Sequence, residues 1–135
     1  MREFVIYGQP VAKGRPRLGK WGTYTPPKTI EYENLVKLSY IEKFRNEPLL
    51  ENQLKISIKF YFQIPKSVSK KKKQAMLEGK IMHDKRPDLD NCIKSITDAL
   101  NGIAYKDDNQ IVQIHACKFY SEEPRTEVCI EELEG

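Results

Sequence analysis

The stretch RPDLDNCIKSITDALNGIAYKDDNQI, residues 86–111, decides how this chain is read. Pro87 disfavours the helical region for the residue before it, so the chain arrives at Arg86 extended. Asp88 and Asp90 stand at the junction that follows, and Asp90 or Asn91 is a natural N-cap. Leu89, Cys92, Ile93, Ile96, Ala99, Leu100 and Ile103 recur at helical spacing and define one buried face. Asn101 and Gly102 end the helix, glycine being able to take the left-handed conformation there. Tyr105 to Asp108 then forms a return loop into a strand that begins near Gln110. One pair of carboxylates enters the helix and a second pair leaves it. A helix of this length separates its ends by about 20 Å. The two pairs meet only if the loop after Gly102 folds back, or if the next strand starts beside the end of the preceding one. Periodicity leaves that open.

The rest of the chain bounds what this stretch can do. Its 135 residues suit one domain, 1–135, with a core that needs no disulfide or metal staple. No apolar run approaches a membrane span and no leader peptide opens the chain, so a cytoplasmic protein without a membrane partner is expected. Three cysteines without metal-type spacing read as free thiols. His83 and His115 lie far apart, which argues against zinc; His83 reads as a local contact that could orient a carboxylate. Residues 1–80 carry 17 Lys and Arg against 7 Asp and Glu, whereas residues 81–135 carry 6 against 12. A basic body around an acidic pocket suits a protein that holds both phosphates and a cation.

Taken in order, Glu3 to Tyr7 reads as a short strand. The Gly- and Pro-rich segment after it interleaves Lys13, Arg15, Arg17 and Lys20 with Trp21 and Tyr24. Such a loop suits phosphate contact with stacking on distorted bases; the alternative is a solvated hairpin tip with its aromatics on the core. Thr25 is the expected cap of a helix with Pro26 and Pro27 at its start, Tyr32, Leu35, Val36, Ser39, Tyr40 and Phe44 on its inner face, and Glu47-Pro48 at its end. From Leu54 to Ile64 apolar and polar residues alternate strictly, the pattern of a strand with one buried face and one wet, basic face. Ser69 caps a short helix opening on Lys70, Lys71, Lys72 and Lys73, four cations that oppose the helix dipole and that a phosphate backbone would stabilise. Ile111–Tyr120 and Arg125–Glu131 read as two further strands. The expected fold is α+β, a mixed or mostly antiparallel sheet packed against two main helices, 27–46 and 90–103.

Arg86-Pro-Asp-Leu-Asp-Asn with Lys94, then Asp98 to Gly102, then Asp107-Asp108 with Gln110 and Ile111, resembles the signature of the RusA family of Holliday-junction resolvases. The motif is long and spaced, and covers about a fifth of the chain. The resemblance implies a small dimeric, magnesium-dependent endonuclease, with Mn²⁺ as a possible substitute, that cuts four-way DNA junctions in recombination and repair. It implies metal-binding roles for Asp88, Asp90 and Asp108 and an essential cation at Lys94. Arg86 joins Lys13, Arg15, Arg17, Lys20 and Lys70 to Lys73 as a candidate DNA contact, and no small-molecule cofactor is expected. Chemistry agrees: hydrolysis of a phosphodiester needs hard cations, and these ask for carboxylate oxygens. Lys94 lies four residues after Asp90, where it can form a helical ion pair or address the phosphate. Asp98 competes as its partner, and Asp107 is the fallback for Asp108. Rival readings are a metal-dependent nuclease for other branched DNA or RNA, and a junction-binding protein that does not cut.

Overall fold

Strict alternation along Leu54–Gln63 makes this segment the middle of the sheet in the computed structural model, which describes residues 1–134. In chain order the elements are β1 (Arg2–Tyr7), β2 (Arg17–Gly19), β3 (Gly22–Tyr24), α1 (Pro27–Phe44), β4 (Leu54–Gln63), α2 (Lys70–Leu77), α3 (Leu89–Leu100), β5 (Ile111–Ser121) and β6 (Arg125–Glu132). Four strands form a mixed sheet in the order β1-β6-β4-β5, and β2 and β3 form a separate hairpin. β6 is antiparallel to both β1 and β4, whereas β5 runs parallel to β4. Leu54 faces Ile111 and Lys55 faces Gln113, so Val112 is an extra residue, a bulge at the start of the edge strand. The fold is α+β, as the pattern predicts. No helix of the described residues is long and apolar enough to cross a membrane.

The core lies on one face of the sheet. Ile56, Ile58, Phe60 and Phe62 of β4 are buried there with Phe4, Ile6, Val128 and Ile130. α1 and α3 cover them, α1 with Tyr32, Val36 and Tyr40 and α3 with Cys92, Ile96, Ala99 and Leu100. Burying side chains of this size is worth about 1.5–3 kcal/mol each. The opposite face is not the basic surface expected from β4 alone. Lys55 stands in register with Glu131 and Lys59 with Glu127, and Tyr61 lies between the Phe119 ring at 5.3 Å and the Arg125 guanidinium at 4.0 Å. Carboxylates contributed by β6 balance the lysines of β4.

Several sequence expectations shift. α1 is capped at Pro26, without a side-chain hydrogen bond, rather than at Thr25. Proline already holds the extended φ of a cap, and its missing N–H costs nothing in a first turn. The helix ends at Phe44, before Glu47-Pro48. Leu35 is 41 % exposed because the buried stripe runs through Thr29, Tyr32, Val36 and Tyr40 instead. Val112 and Ile114 are also exposed, since the helices leave the start of the edge strand uncovered. The cysteines are all free.

One buried polar pair ties helix to sheet: the hydroxyls of Tyr32 and Thr126 meet at 2.9 Å. Burial raises the Tyr32 phenol to about 12, so it stays neutral and able to hydrogen-bond throughout the physiological range. Tyr32→Phe is expected to lower stability by about 1–3 kcal/mol in urea denaturation, because it strands the Thr126 hydroxyl. Adding Thr126→Val should recover part of that loss. A double variant as unstable as the sum of the singles would show that the two hydroxyls act independently.

Candidate metal and nucleic-acid site

The site is built at the N-terminus of α3. The cap is Asp88, two residues before Asp90: its extended backbone carbonyl accepts the N–H of Cys92 at 3.2 Å. Its side chain makes no capping bond to the backbone and instead accepts from the Asn91 amide at 2.8 Å. The Asn91 amide first, then the Asp90 carboxyl, with a smaller contribution from the charge of Lys118, hold the Asp88 carboxyl below the usual range. Asp90 sits in the first turn, where the helix dipole favours an anion. Both carboxylates are exposed, and neither forms an ion pair with a described residue.

Lys118 shapes the loop that delivers them. From β5 its ammonium donates to the carbonyl of Lys85 and to that of Pro87, each at 2.7 Å. Its own carbonyl accepts the N–H of His83 at 3.2 Å. His83 is buried, stacked on Phe62 at 3.8 Å and tilted against Tyr120 at 5.1 Å. Burial, then the nearby charge of Lys118, pushes its pKa down, and its Nδ1 has no hydrogen-bond partner. It orients no carboxylate and serves as a flat packing piece under the loop.

The second carboxylate pair separates. After Gly102 the loop folds back: the N–H of Leu50 bonds the carbonyl of Ala104 at 2.9 Å, and the Tyr105 hydroxyl, fully buried, donates to the carbonyl of Thr97 at 2.6 Å. This returns Asp107 and Asp108 alongside α3. Asp107 caps a single 3₁₀ turn, Asp108–Gln110, in a reciprocal box with Gln110. Asp108 is left exposed and lines an open cleft of about 460 Å³ with Lys94, Asp98 and Asn91. Asn91 thus touches both ends of the site, bonding Asp88 while lining the cleft of Asp108. The oxygen donors suit a hard divalent ion, and Asp88 and Asp90 together are a ligand pair of the kind Mg²⁺ uses with water and phosphate. Among the described residues no three His, Cys, Asp or Glu side chains gather tightly enough to hold a metal alone.

The basic residues fall into two groups. Lys13 is held by Glu33 at 2.9 Å and Asp98 at 3.4 Å, and its N–H bonds the carbonyl of Asn91 at 2.9 Å. Burial alone would lower its pKa, but Glu33 and Asp98 outweigh it and raise it. Next to it Gly14 packs so closely that a Cβ would come within 2.9 Å of Pro26 and Thr29. These contacts fix the root of the β2–β3 hairpin against α1 and α3. Its arm is free: Arg15, Arg17 and Lys20 are exposed, and so are Leu18 at 88 % and Trp21 at 92 %. The aromatic tip stands clear of the core. On α2, whose N-cap Ser69 accepts the N–H of Lys72 at 3.2 Å, Lys73 pairs with Glu122, while Lys70, Lys71 and Lys72 remain exposed. Arg86 is exposed beside Asp88.

Sequence reading missed Lys118, and gave Lys13 a phosphate-contacting role although carboxylates surround it. A lysine in a strand reads as a solvated position, yet Lys118 falls on the face that β4 buries, opposite Phe60. That mismatch between register and residue type was the available signal.

A family model of the endodeoxyribonuclease RusA matches residues 7–131. The chain is also similar to the uncharacterized protein YqaN of Bacillus subtilis (strain 168), with 42% identity over 137 residues that cover 97% of this chain and 96% of that protein.

The Lys118 clamp is testable without reference to activity. Hydrogen bonds from a charged group contribute about 1.5–3 kcal/mol each. Lys118→Met should therefore speed amide exchange over residues 83–88 by tenfold or more and leave α1 unchanged. Equal protection in both proteins would mean that the loop keeps its shape unaided.

Proposed function

The chain belongs to the RusA endodeoxyribonuclease family, and from that premise we propose that it cuts four-way DNA junctions by hydrolysing phosphodiesters with Mg²⁺, or Mn²⁺ in its place, held by Asp88 and Asp90. The observation that carries this reading is the exposed, unpaired carboxylate pair at the helix start, on a backbone held by Lys118, with Lys94 and Asp108 in the neighbouring cleft that Asn91 shares. The bound ion supplies charge neutralisation at phosphorus and a more acidic water. Asn91 orients Asp88 towards it, and Asp108 offers a further carboxylate from the neighbouring cleft. Lys94, exposed one turn after Asp90, addresses the scissile phosphate or the leaving oxygen. Arg86, Arg15, Arg17, Lys20 and Lys70 to Lys72 neutralise the flanking backbone, with Lys73 shared with Glu122. Trp21 and Leu18 meet the unstacked bases that a branch point presents. Paired incision of a junction calls for two copies, and such work places the protein in the cytoplasm, on DNA.

A junction-binding module that does not cut is the second reading. It is favoured by one observation, that no three ligand-type side chains gather among the described residues.

Nicking of an end-labelled four-way junction separates them. With Mg²⁺ the wild type should make symmetric cuts, lost in EDTA, and leave a linear duplex of matched sequence intact. Asp90→Asn should cut at under about a hundredth of that rate, the scale for losing one electrostatic stabiliser, while still shifting the junction in a gel. Binding without cutting under Mg²⁺ and Mn²⁺ would sink the enzyme reading, and equal cutting of duplex would overturn the substrate.

The hairpin makes a separate claim. Trp21→Ala should weaken junction binding by about 1–3 kcal/mol, the worth of one stacked base, and weaken duplex binding far less. Equal loss on both substrates would reduce the hairpin to a general backbone contact.

A further inference from the structure

Lys13 and Asp98 take no part in the proposed chemistry, and they are bound to each other. The Lys13 ammonium lies 2.9 Å from Glu33 of α1 and 3.4 Å from Asp98 of α3. Its backbone N–H bonds the carbonyl of Asn91, about two turns earlier on α3. Lys13 is thus strapped along α3, beside the cleft that holds Lys94 and Asp108. Gly14 completes the tie from the other side: its N–H bonds the Thr29 hydroxyl oxygen at 2.9 Å, and Pro26 leaves no room for a Cβ. Among the described residues, nothing from Arg15 to Tyr24 forms an ion pair or a hydrogen bond with the body of the chain, so the arm is held at its root. The same root leads to the metal pair. Asn91, whose carbonyl Lys13 holds, gives its amide to Asp88 at 2.8 Å.

We propose that Lys13 is a positioning residue: it fixes the aromatic arm at a set distance and angle from Asp88 and Asp90, and so sets which phosphodiester beside a branch point is cut. The proposal rests on the nuclease reading and gives it a cut position. The two carboxylates around Lys13 would repel a phosphate, so it acts through the arm and not on the DNA. Lys13 and Trp21 are close in sequence, which bounds the reach of the tip at about 28 Å. An arm about 20 Å long that tilted by about 20° on a loose root would move its tip by about 7 Å, or roughly two nucleotide spacings along a strand. A root tied to both α1 and α3 excludes such a tilt. The arm then measures one fixed length from the base it stacks on to the bond the metal pair addresses.

Trp21 is the sole tryptophan of the chain and stands at the tip, so its fluorescence reports the arm without any label. In Lys13→Met the share of Trp21 anisotropy lost to nanosecond motion, the timescale of loops, should rise about twofold or more. On an end-labelled four-way junction with Mg²⁺ the wild type should cut one dominant phosphodiester per strand. Lys13→Met should spread the cuts over about three to five neighbouring bonds, as the tilt of a loose arm requires. A lysine needed only for stability would lower the amount of cutting and leave its position unchanged. Lys13→Arg, which can still span both carboxylates, should restore the single cut. If Lys13→Met does not fold, Gly14→Ala displaces the same root, because its Cβ would meet Pro26 and Thr29 at 2.9 Å, and it should spread the cuts likewise. Single-position cutting by the loosened variant, or an unchanged Trp21 decay, would overturn the proposal. A wild type that cuts at many positions would overturn it too and leave the nuclease standing. A wild type that cuts nothing would fell the nuclease reading and the cut position with it, while the Trp21 decay still decides whether Lys13 fixes the arm.

Discussion

Two parallel neighbours in a sheet cannot be joined by a tight turn, and this constraint governs the molecule. Because β5 runs beside β4 in the same direction, the 47 residues between Gln63 and Ile111 must travel back across one face before the sheet can continue. α2, α3 and the loops around them are that return path. Every acidic residue of the candidate site lies on it. The sheet therefore fixes where the crossover begins and ends, and the site takes its shape from the way the crossover is laid down.

Lying on a crossover leaves the carboxylates exposed, and the structure compensates by fastening the backbone around them to elements on the sheet. Lys118 reaches out of β5 to hold the carbonyls just before Asp88. Tyr105 reaches under α3 to place the loop just before Asp107. Lys13 joins the root of the hairpin to Asp98 and Glu33. Each fastening uses a polar head on a long stem, half-buried for the two lysines and fully buried for Tyr105, so the carboxylates at the rim can stay in water while the chain that bears them is fixed. The lysines that act as fasteners and those that remain exposed differ in their neighbours and not in residue type.

This explains which parts were legible in the sequence. Periodicity shows what a residue does for its own element, so the helix expected over 90–103 and found over Leu89–Leu100, the strand expected over 54–64 and found over Leu54–Gln63, and the cap at Ser69 could all be read from local order. Lys13 could not, because its partners Glu33 and Asp98 stand 20 and 85 places along the chain, and no local pattern carries that distance. The strand over 111–120 was legible, but the exposure of Val112 and Ile114 on it is a fact about packing that alternation does not carry. The basic face expected of β4 failed for the same reason, since β6 supplies Glu127 and Glu131 from the other end of the sequence. Periodicity does not decide the fold-back after Gly102, because the bonds that hold it, from Tyr105 to Thr97 and between Leu50 and Ala104, join residues outside any one repeat.

Asp107 and Asp108 are identical side chains in adjacent positions, yet one closes a turn with Gln110 and the other faces the cleft. A cap needs only a short side chain with an acceptor oxygen, which asparagine, serine or threonine supplies as well as aspartate does. Position 107 can thus drift among those four residues in descendants of this chain with its turn intact. Asp108 closes no turn of that kind, and an amide or hydroxyl in its place would take a negative charge out of the cleft. Two identical neighbours thus stand in unlike surroundings, one replaceable by any short acceptor and the other lending its charge to the cleft.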